Sequence, residues 1–75
     1  MDEREVAETM RGLGYVLTSF GGQAWYYPSD SRMIYKPDRK LTRWYATYTG
    51  ADRVRRKQEF SCPVVAALWL AVEVA

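Results

Sequence analysis

The sequence has no histidine and only one cysteine, Cys62, and these absences exclude much of the usual catalytic and metal chemistry. No Ser–His or Cys–His pair can form, and a lone thiol can neither close an internal disulfide nor complete a zinc site. Seven of the nine carboxylates lie near the start of the chain or in predicted turns, and no pair has a spacing that favours acid–base catalysis. We therefore expect a protein that is not an enzyme and has no cofactor or metal.

Long apolar runs are also missing. The longest, Cys62 to Val72, has eleven residues, whereas a membrane-spanning helix needs about 20. The acidic first residues do not resemble a secretory signal, and the absence of disulfides suits a reducing compartment. We expect a cytoplasmic protein that does not enter a membrane. Its 75 residues are enough for one domain, 1–75.

Charge and aromatic residues are the features that stand out. Aromatic residues make up 15% of the chain, and the net charge of +2 is unevenly distributed. Residues 2–8 contain four carboxylates and one arginine, whereas residues 32–57 contain nine cations and two carboxylates. An acidic start followed by a basic middle is the main indication of function.

Helices are predicted at both ends. Residues 2–13 have an apolar face, with Asp2 as N-cap and Gly14 as terminator. Ser61 is the expected N-cap of a second helix over 64–74, which is apolar on nearly every side. That helix is either the centre of the core or an interface with a partner or second copy. The candidate oligomer-interface residues are Val65, Trp69, Leu70 and Val74.

Strand signals lie between the helices. β-Branched and aromatic residues separated by turn residues predict strands at residues 15–20, 23–27, 32–36 and 41–49. Residues 53–60 are compatible with either a basic edge strand or a loop. The pattern predicts an α+β domain: an N-terminal helix, an antiparallel sheet of three or four strands, and a C-terminal helix.

Two sets of residues are candidates for partner binding. Because neighbours on a strand point to opposite faces, Tyr26 or Tyr45 can be left on the solvent side beside Arg43, Arg32 or Lys36. The alternative is that these aromatics only stabilise the sheet. The basic residues can contact phosphates, meet an acidic protein surface, or simply form a solvated edge. They are Arg39, Lys40, Arg43, Arg53, Arg55, Arg56 and Lys57.

Two protein families show a resemblance. The order helix, three strands, helix resembles the double-stranded RNA-binding domain. That family opens its last helix with lysines, and the segment Ser61-Cys62-Pro63-Val64-Val65 has none. The RNA-binding residues of the family therefore do not carry over to this chain.

The second resemblance is to small phage and prophage proteins of helix–sheet–helix form. It rests on Leu13-Gly14-Tyr15, on Trp25-Tyr26-Tyr27-Pro28 and on Ala66-Ala67-Leu68-Trp69-Leu70. Such proteins include inhibitors of bacterial defence, among them anti-CRISPR proteins. The resemblance implies an inhibitor that occludes a surface of a host protein or ribonucleoprotein, such as a CRISPR effector complex. The basic middle of this chain differs from the acidic, DNA-mimicking surfaces of many such inhibitors. The alternatives are a small nucleic-acid-binding protein and a structural homodimer.

Overall fold

The computed structural model describes residues 2–20, 22–37, 40 and 42–74. In chain order the elements are α1 (Glu3–Gly12), β1 (Val16–Phe20), β2 (Gly22–Tyr26), β3 (Met33–Lys36), β4 (Trp44–Thr49), β5 (Arg55–Phe60) and α2 (Pro63–Val74). The predicted α+β class is confirmed, and over the described residues the sheet has five strands where three or four were expected. The additional strand comes from the ambiguous segment, since β5 occupies most of residues 53–60. Leu41, the expected start of the longest strand, lies outside the described residues.

Local hydrogen bonds explain where α1 begins and ends. The Asp2 carboxylate accepts a hydrogen bond from the backbone N–H of Glu5 at 2.9 Å, which makes Asp2 the N-cap as predicted. At the other end Gly14 has a φ of 94°, a conformation that favours glycine. The N–H of Tyr15 then donates to the carbonyl of Met10 at 3.0 Å, which closes the helix and turns the chain into β1.

The sheet is an antiparallel meander in the order β1-β2-β3-β4-β5. Its register pairs Trp25 with Ile34 and Ile34 with Ala46, so these three side chains point to the same face. Against that face α2 packs across β3, β4 and β5, and α1 packs beside α2. We call it the covered face.

The core lies between the helices and the covered face. Met10 of α1, Ile34 of β3 and Leu70 of α2 are fully buried there, and Trp25 and Trp44 pack around them. None of the described helices lies over the opposite face, which we call the open face. Its residues are Val16, Thr18, Ala24, Tyr26, Met33, Tyr35, Tyr45, Thr47, Thr49, Arg55, Lys57 and Glu59.

The start of α2 differs from the prediction by one residue. The helix begins at Pro63, and the carbonyl of Cys62 accepts the first helical hydrogen bond, from the N–H of Ala66 at 3.2 Å. Cys62 is therefore the N-cap, and Ser61 is not. Proline at the first helical position has a suitable φ and has no N–H to leave unpaired.

The predicted oligomer-interface set on α2 is also corrected. Leu70 is fully buried in the core, so it is not available to a second chain. Trp69 is half-buried, and its ring centroid lies 5.8 Å from that of Tyr48 and 5.5 Å from that of Phe60. Of the four predicted residues, only Val65 and Val74 are exposed. Sequence alone could not show this, because an apolar helix gives no sign of which side faces its sheet.

Candidate functional site

Three tyrosines from neighbouring strands share the open face. Tyr26 lies on β2, Tyr35 on β3 and Tyr45 on β4, and the register places Tyr35 directly opposite Tyr45. Tyr26 is 38% exposed, and the other two are half-buried. Aromatic side chains that remain accessible on an uncovered sheet offer a large contact area with little loss of side-chain entropy.

A cation is held against two of these rings. The Tyr35 and Tyr45 ring centroids are 5.7 Å apart, with the planes inclined at 32°. The Lys57 ammonium lies 4.3 Å from the Tyr45 centroid and 5.9 Å from the Tyr35 centroid. Attraction between an ammonium and the ring faces favours this position of the charge. The three residues therefore form one aromatic and cationic surface.

Arg55 forms a second cationic point on the same face. Its Nη2 donates to Thr47 Oγ1 at 3.0 Å, which draws the guanidinium across the sheet and helps to bury Thr47. Beside it lies a hollow of about 410 Å³. The hollow is lined by Gln23, Ala24, Met33, Tyr35, Lys36, Pro37 and Arg55. A guanidinium at the wall of an aromatic hollow can bind a carboxylate or phosphate through two parallel hydrogen bonds.

The charges on the open face are only partly neutralised. Arg43 Nη1 lies 2.7 Å from Glu59 Oε1, and the hydrogen bond to this carboxylate raises the pKa of Arg43. Within the described part of the chain, no carboxylate forms an ion pair with Arg55 or Lys57. These two cations carry the unneutralised positive charge of the open face among the described residues.

Strand geometry divides the predicted basic patch. Arg56 lies between Arg55 and Lys57 in sequence but points to the other face, opposite Tyr48. There its Nη2 is 2.7 Å from Asp52 Oδ2. Hydrogen bonds from Arg56 and from the Val54 N–H hold the pKa of Asp52 well below its usual range. The expectation that Arg56 belongs to the same patch as its neighbours is therefore wrong.

Two further predicted cations lie in connections between strands. Arg53 is exposed in the turn between β4 and β5 with a φ of 63°, and Lys40 is exposed in the connection between β3 and β4. Arg39 lies outside the described residues. Of the seven predicted basic residues, Arg55 and Lys57 lie on the open face, and Arg43 contacts its edge through Glu59.

Arg32 and Lys36, the two other cations expected near the tyrosines, contact other residues instead. The Arg32 guanidinium carbon lies 3.7 Å from the Tyr27 ring centroid, and its Nε donates to Asp30 Oδ2 at 2.8 Å. This hydrogen bond lowers the pKa of Asp30. Lys36 points to the covered face, with its ammonium 5.2 Å from the Trp44 ring centroid. Neither residue is in the open-face register, although Lys36 also lines the hollow beside Arg55 at the end of β3.

Sequence reasoning missed Tyr35, Met33 and Thr47 as members of the site. The sequence alone does not distinguish Tyr35 from the other aromatic residues of the strands. Its place on the open face depends on its pairing with Tyr45. A shift of one residue in register would have moved it to the covered face. The only signal available in the sequence was the alternation within each strand, and that does not fix how two strands align.

Other kinds of site find no support in the described residues. No three His, Cys, Asp or Glu side chains of that part of the chain come together as metal ligands. Within it, neither helix has the length and apolar character needed to cross a membrane. Comparison with protein-family models, with curated proteins and with solved structures finds no match for this chain.

Proposed function

We propose that this chain is a non-enzymatic binding protein that attaches through its open face to an acidic surface of a larger protein complex. The proposal rests on the position of two cations, Arg55 and Lys57. Neither has a carboxylate partner among the described residues. Both lie on the uncovered face of the sheet, beside Tyr35 and Tyr45. Tyrosine, arginine and methionine are enriched at protein interfaces, and unpaired cations attract an acidic partner.

The resemblance to small phage proteins suggests what the complex is. We propose that it is a bacterial defence complex, such as a CRISPR effector, in the cytoplasm of the host. A bound protein of this size inhibits by occupying a surface that the complex needs, and this requires no chemistry from the inhibitor. The cations of the open face would increase the rate of encounter with an acidic surface.

A nucleic acid is the second candidate partner, because single-stranded nucleic acids also bind tyrosines and cations on open sheets. Two features favour the protein partner. Affinity for nucleic acids comes largely from the neutralisation of phosphates by lysine and arginine, whereas the open face has only two unpaired cations among the described residues. The Lys57 ammonium also occupies the face of Tyr45 on which a base would stack.

The test is capture from a lysate of bacteria that carry CRISPR effector complexes, with nuclease treatment. The wild type is compared with the double variant Arg55→Ala/Lys57→Ala and with Arg56→Ala, which removes a cation from the same strand but from the other face. We expect a discrete protein complex that survives nuclease, is retained by Arg56→Ala and is lost by the double variant.

The captured complex is then purified, and its target binding is titrated with the wild-type protein. Inhibition that is complete near one protein per complex supports the proposal. If the wild type retains only nucleic acid and loses it on nuclease treatment, the nucleic-acid alternative replaces the proposal. If a complex is captured but its target binding is unchanged at a large excess of the protein, the inhibitor role is contradicted.

A further inference from the structure

The hollow beside Arg55 combines an apolar lining with one guanidinium. Ala24 is paired with Tyr35 across β2 and β3, and its side chain ends at Cβ, so the sheet surface is low between larger neighbours. Met33 and Pro37 extend the apolar lining. At about 410 Å³ the hollow is within the range of about 300–1,000 Å³ that holds small ligands. An occupant therefore needs an apolar part as well as a group that binds Arg55.

The Arg55 guanidinium has hydrogen-bond donors that the described part of the chain does not use. A guanidinium carries its N–H donors in a rigid planar fork. Among the described residues Arg55 donates only from Nη2, to Thr47 Oγ1 at 3.0 Å, and forms no ion pair. This hydrogen bond orients the group across the sheet, so less side-chain entropy is lost when a ligand binds.

The neighbouring charged residues leave this guanidinium available to a carboxylate from outside the chain. The Glu59 carboxylate lies on the open face, and its Oε1 is 2.7 Å from Arg43 Nη1. Lys36, the other cation of the lining, places its ammonium 5.2 Å from the Trp44 ring centroid on the covered face. Arg55 is therefore the cation of the lining that lies on the open face.

We infer that the hollow binds a glutamate or aspartate side chain of the partner, together with an apolar residue next to it in the partner sequence. This inference rests on the proposed function and names the group that the acidic partner supplies. The carboxylate accepts two parallel hydrogen bonds from Arg55, and the apolar neighbour contacts Ala24 and Met33. A nucleic-acid phosphate is flanked by hydrophilic sugars and further charged phosphates, so it does not supply the apolar part.

Two synthetic peptides test this inference without the captured complex. They are acetyl-leucyl-glutamyl-leucine amide and its matched control, acetyl-leucyl-glutaminyl-leucine amide, which has nearly the same shape and no charge. Each is titrated to millimolar concentration into the isotope-labelled full chain while two-dimensional amide NMR spectra are recorded. We expect the glutamyl peptide to shift the amide signals of Ala24, Met33, Tyr35 and Arg55. The glutaminyl peptide should bind at least about tenfold more weakly, because it lacks the charge-assisted hydrogen bonds.

Variants of the chain locate the binding within the open face. Arg55→Lys keeps the charge but loses the planar fork, and Ala24→Leu fills the hollow without a change of charge. Each should weaken binding of the glutamyl peptide at least about tenfold. The matched controls, which should bind like the wild type, are Arg56→Lys on the other face of β5 and Ala51→Leu in the exposed turn before it. The same spectra report whether each variant is folded, and if Ala24→Leu is not, Arg55→Lys decides.

Several results would overturn the inference. They are equal shifts with the two peptides, no shift with either, and wild-type affinity in folded Arg55→Lys. Stronger binding of a short oligothymidylate at the same amides would also overturn it, in favour of a phosphate. Failure of the proposed function gives a different result, in which the glutamyl peptide binds the hollow but no protein complex is captured from the lysate.

Discussion

The two faces of the sheet are built from alternate residues of the same strands, yet they differ in what surrounds them. On β3, Ile34 is fully buried beneath the helices, while its neighbour Met33 is only half-buried on the open face. On β5, Arg56 points to the covered side and is paired with Asp52, whereas Arg55 and Lys57 point the other way and have no carboxylate partner among the described residues.

Because the two faces have different surroundings, we expect neighbouring residues on one strand to contribute differently, one to stability and the next to binding. Side chains on the covered face gain their energy from packing within the chain, and the Arg56 charge on that side is neutralised within it. Side chains on the open face are held in place by local contacts, such as those of Lys57 with Tyr45 and of Arg55 with Thr47. Substitutions on the covered face should therefore change unfolding, and those on the open face should change binding.

The largest effect is expected from Ile34→Ala. Ile34 has no exposed surface, so its truncation leaves a cavity and should lower the free energy of unfolding by about 2–5 kcal/mol. Met33→Ala, one residue away on the open face, should lower it by less than half as much, because Met33 is already partly in water. Urea denaturation at neutral pH measures both changes. Equal losses for the two variants would contradict the division between the faces.

A smaller effect is expected where α1 turns into the sheet. Gly14 has a φ of 94°, and an added Cβ would lie 3.1 Å from Cε1 of Tyr27. Gly14→Ala should therefore destabilise the protein by about 1–2 kcal/mol. Gly12→Ala is the control, because a Cβ there has no neighbour within 4 Å. It should be neutral or stabilising by up to about 1 kcal/mol. Thermal unfolding should therefore show a lower midpoint for Gly14→Ala and an unchanged or higher midpoint for Gly12→Ala.

Much of this architecture could be predicted from the sequence, because it depends on local patterns. The N-cap Asp2, the terminator Gly14 and the alternating residues of β4 all have signals within a few residues. The open face could not be predicted in the same way. Whether Tyr35 joins Tyr45, and whether Arg55 or Arg56 lies beside them, depends on pairing between strands that are distant in sequence.

Acid should weaken the ion pairs of Asp30 with Arg32 and of Asp52 with Arg56. The pKa values of Asp30 and Asp52 are lowered in the folded protein from an ordinary value of 3.8, chiefly by hydrogen bonds from Arg32 and Arg56. The unfolded chain therefore binds protons first as pH falls, and the stabilisation present above pH 3.8 is lost below it.

Urea midpoints measured from pH 6 to pH 2 check this expectation in the wild type, Asp30→Asn and Asp52→Asn. The wild-type midpoint should fall on acidification, and each variant should show a smaller fall. Asp30→Asn should differ more from the wild type, since the Asp30–Arg32 pair is less exposed than the Asp52–Arg56 pair. Parallel curves for all three proteins would show that these ion pairs do not stabilise the fold.

The most direct test of the central claim compares adjacent cations on β5. The affinity of the captured complex for the wild type, Arg55→Ala/Lys57→Ala and Arg56→Ala can be measured by calorimetry. The account predicts that the open-face double variant binds about 10–100-fold more weakly, as expected for the loss of interface residues worth about 1.4–2.8 kcal/mol. Arg56→Ala should bind within about threefold of the wild type, a difference below 1 kcal/mol. If Arg56→Ala weakens binding as much as the double variant, or if neither changes it, the open face is not the binding surface.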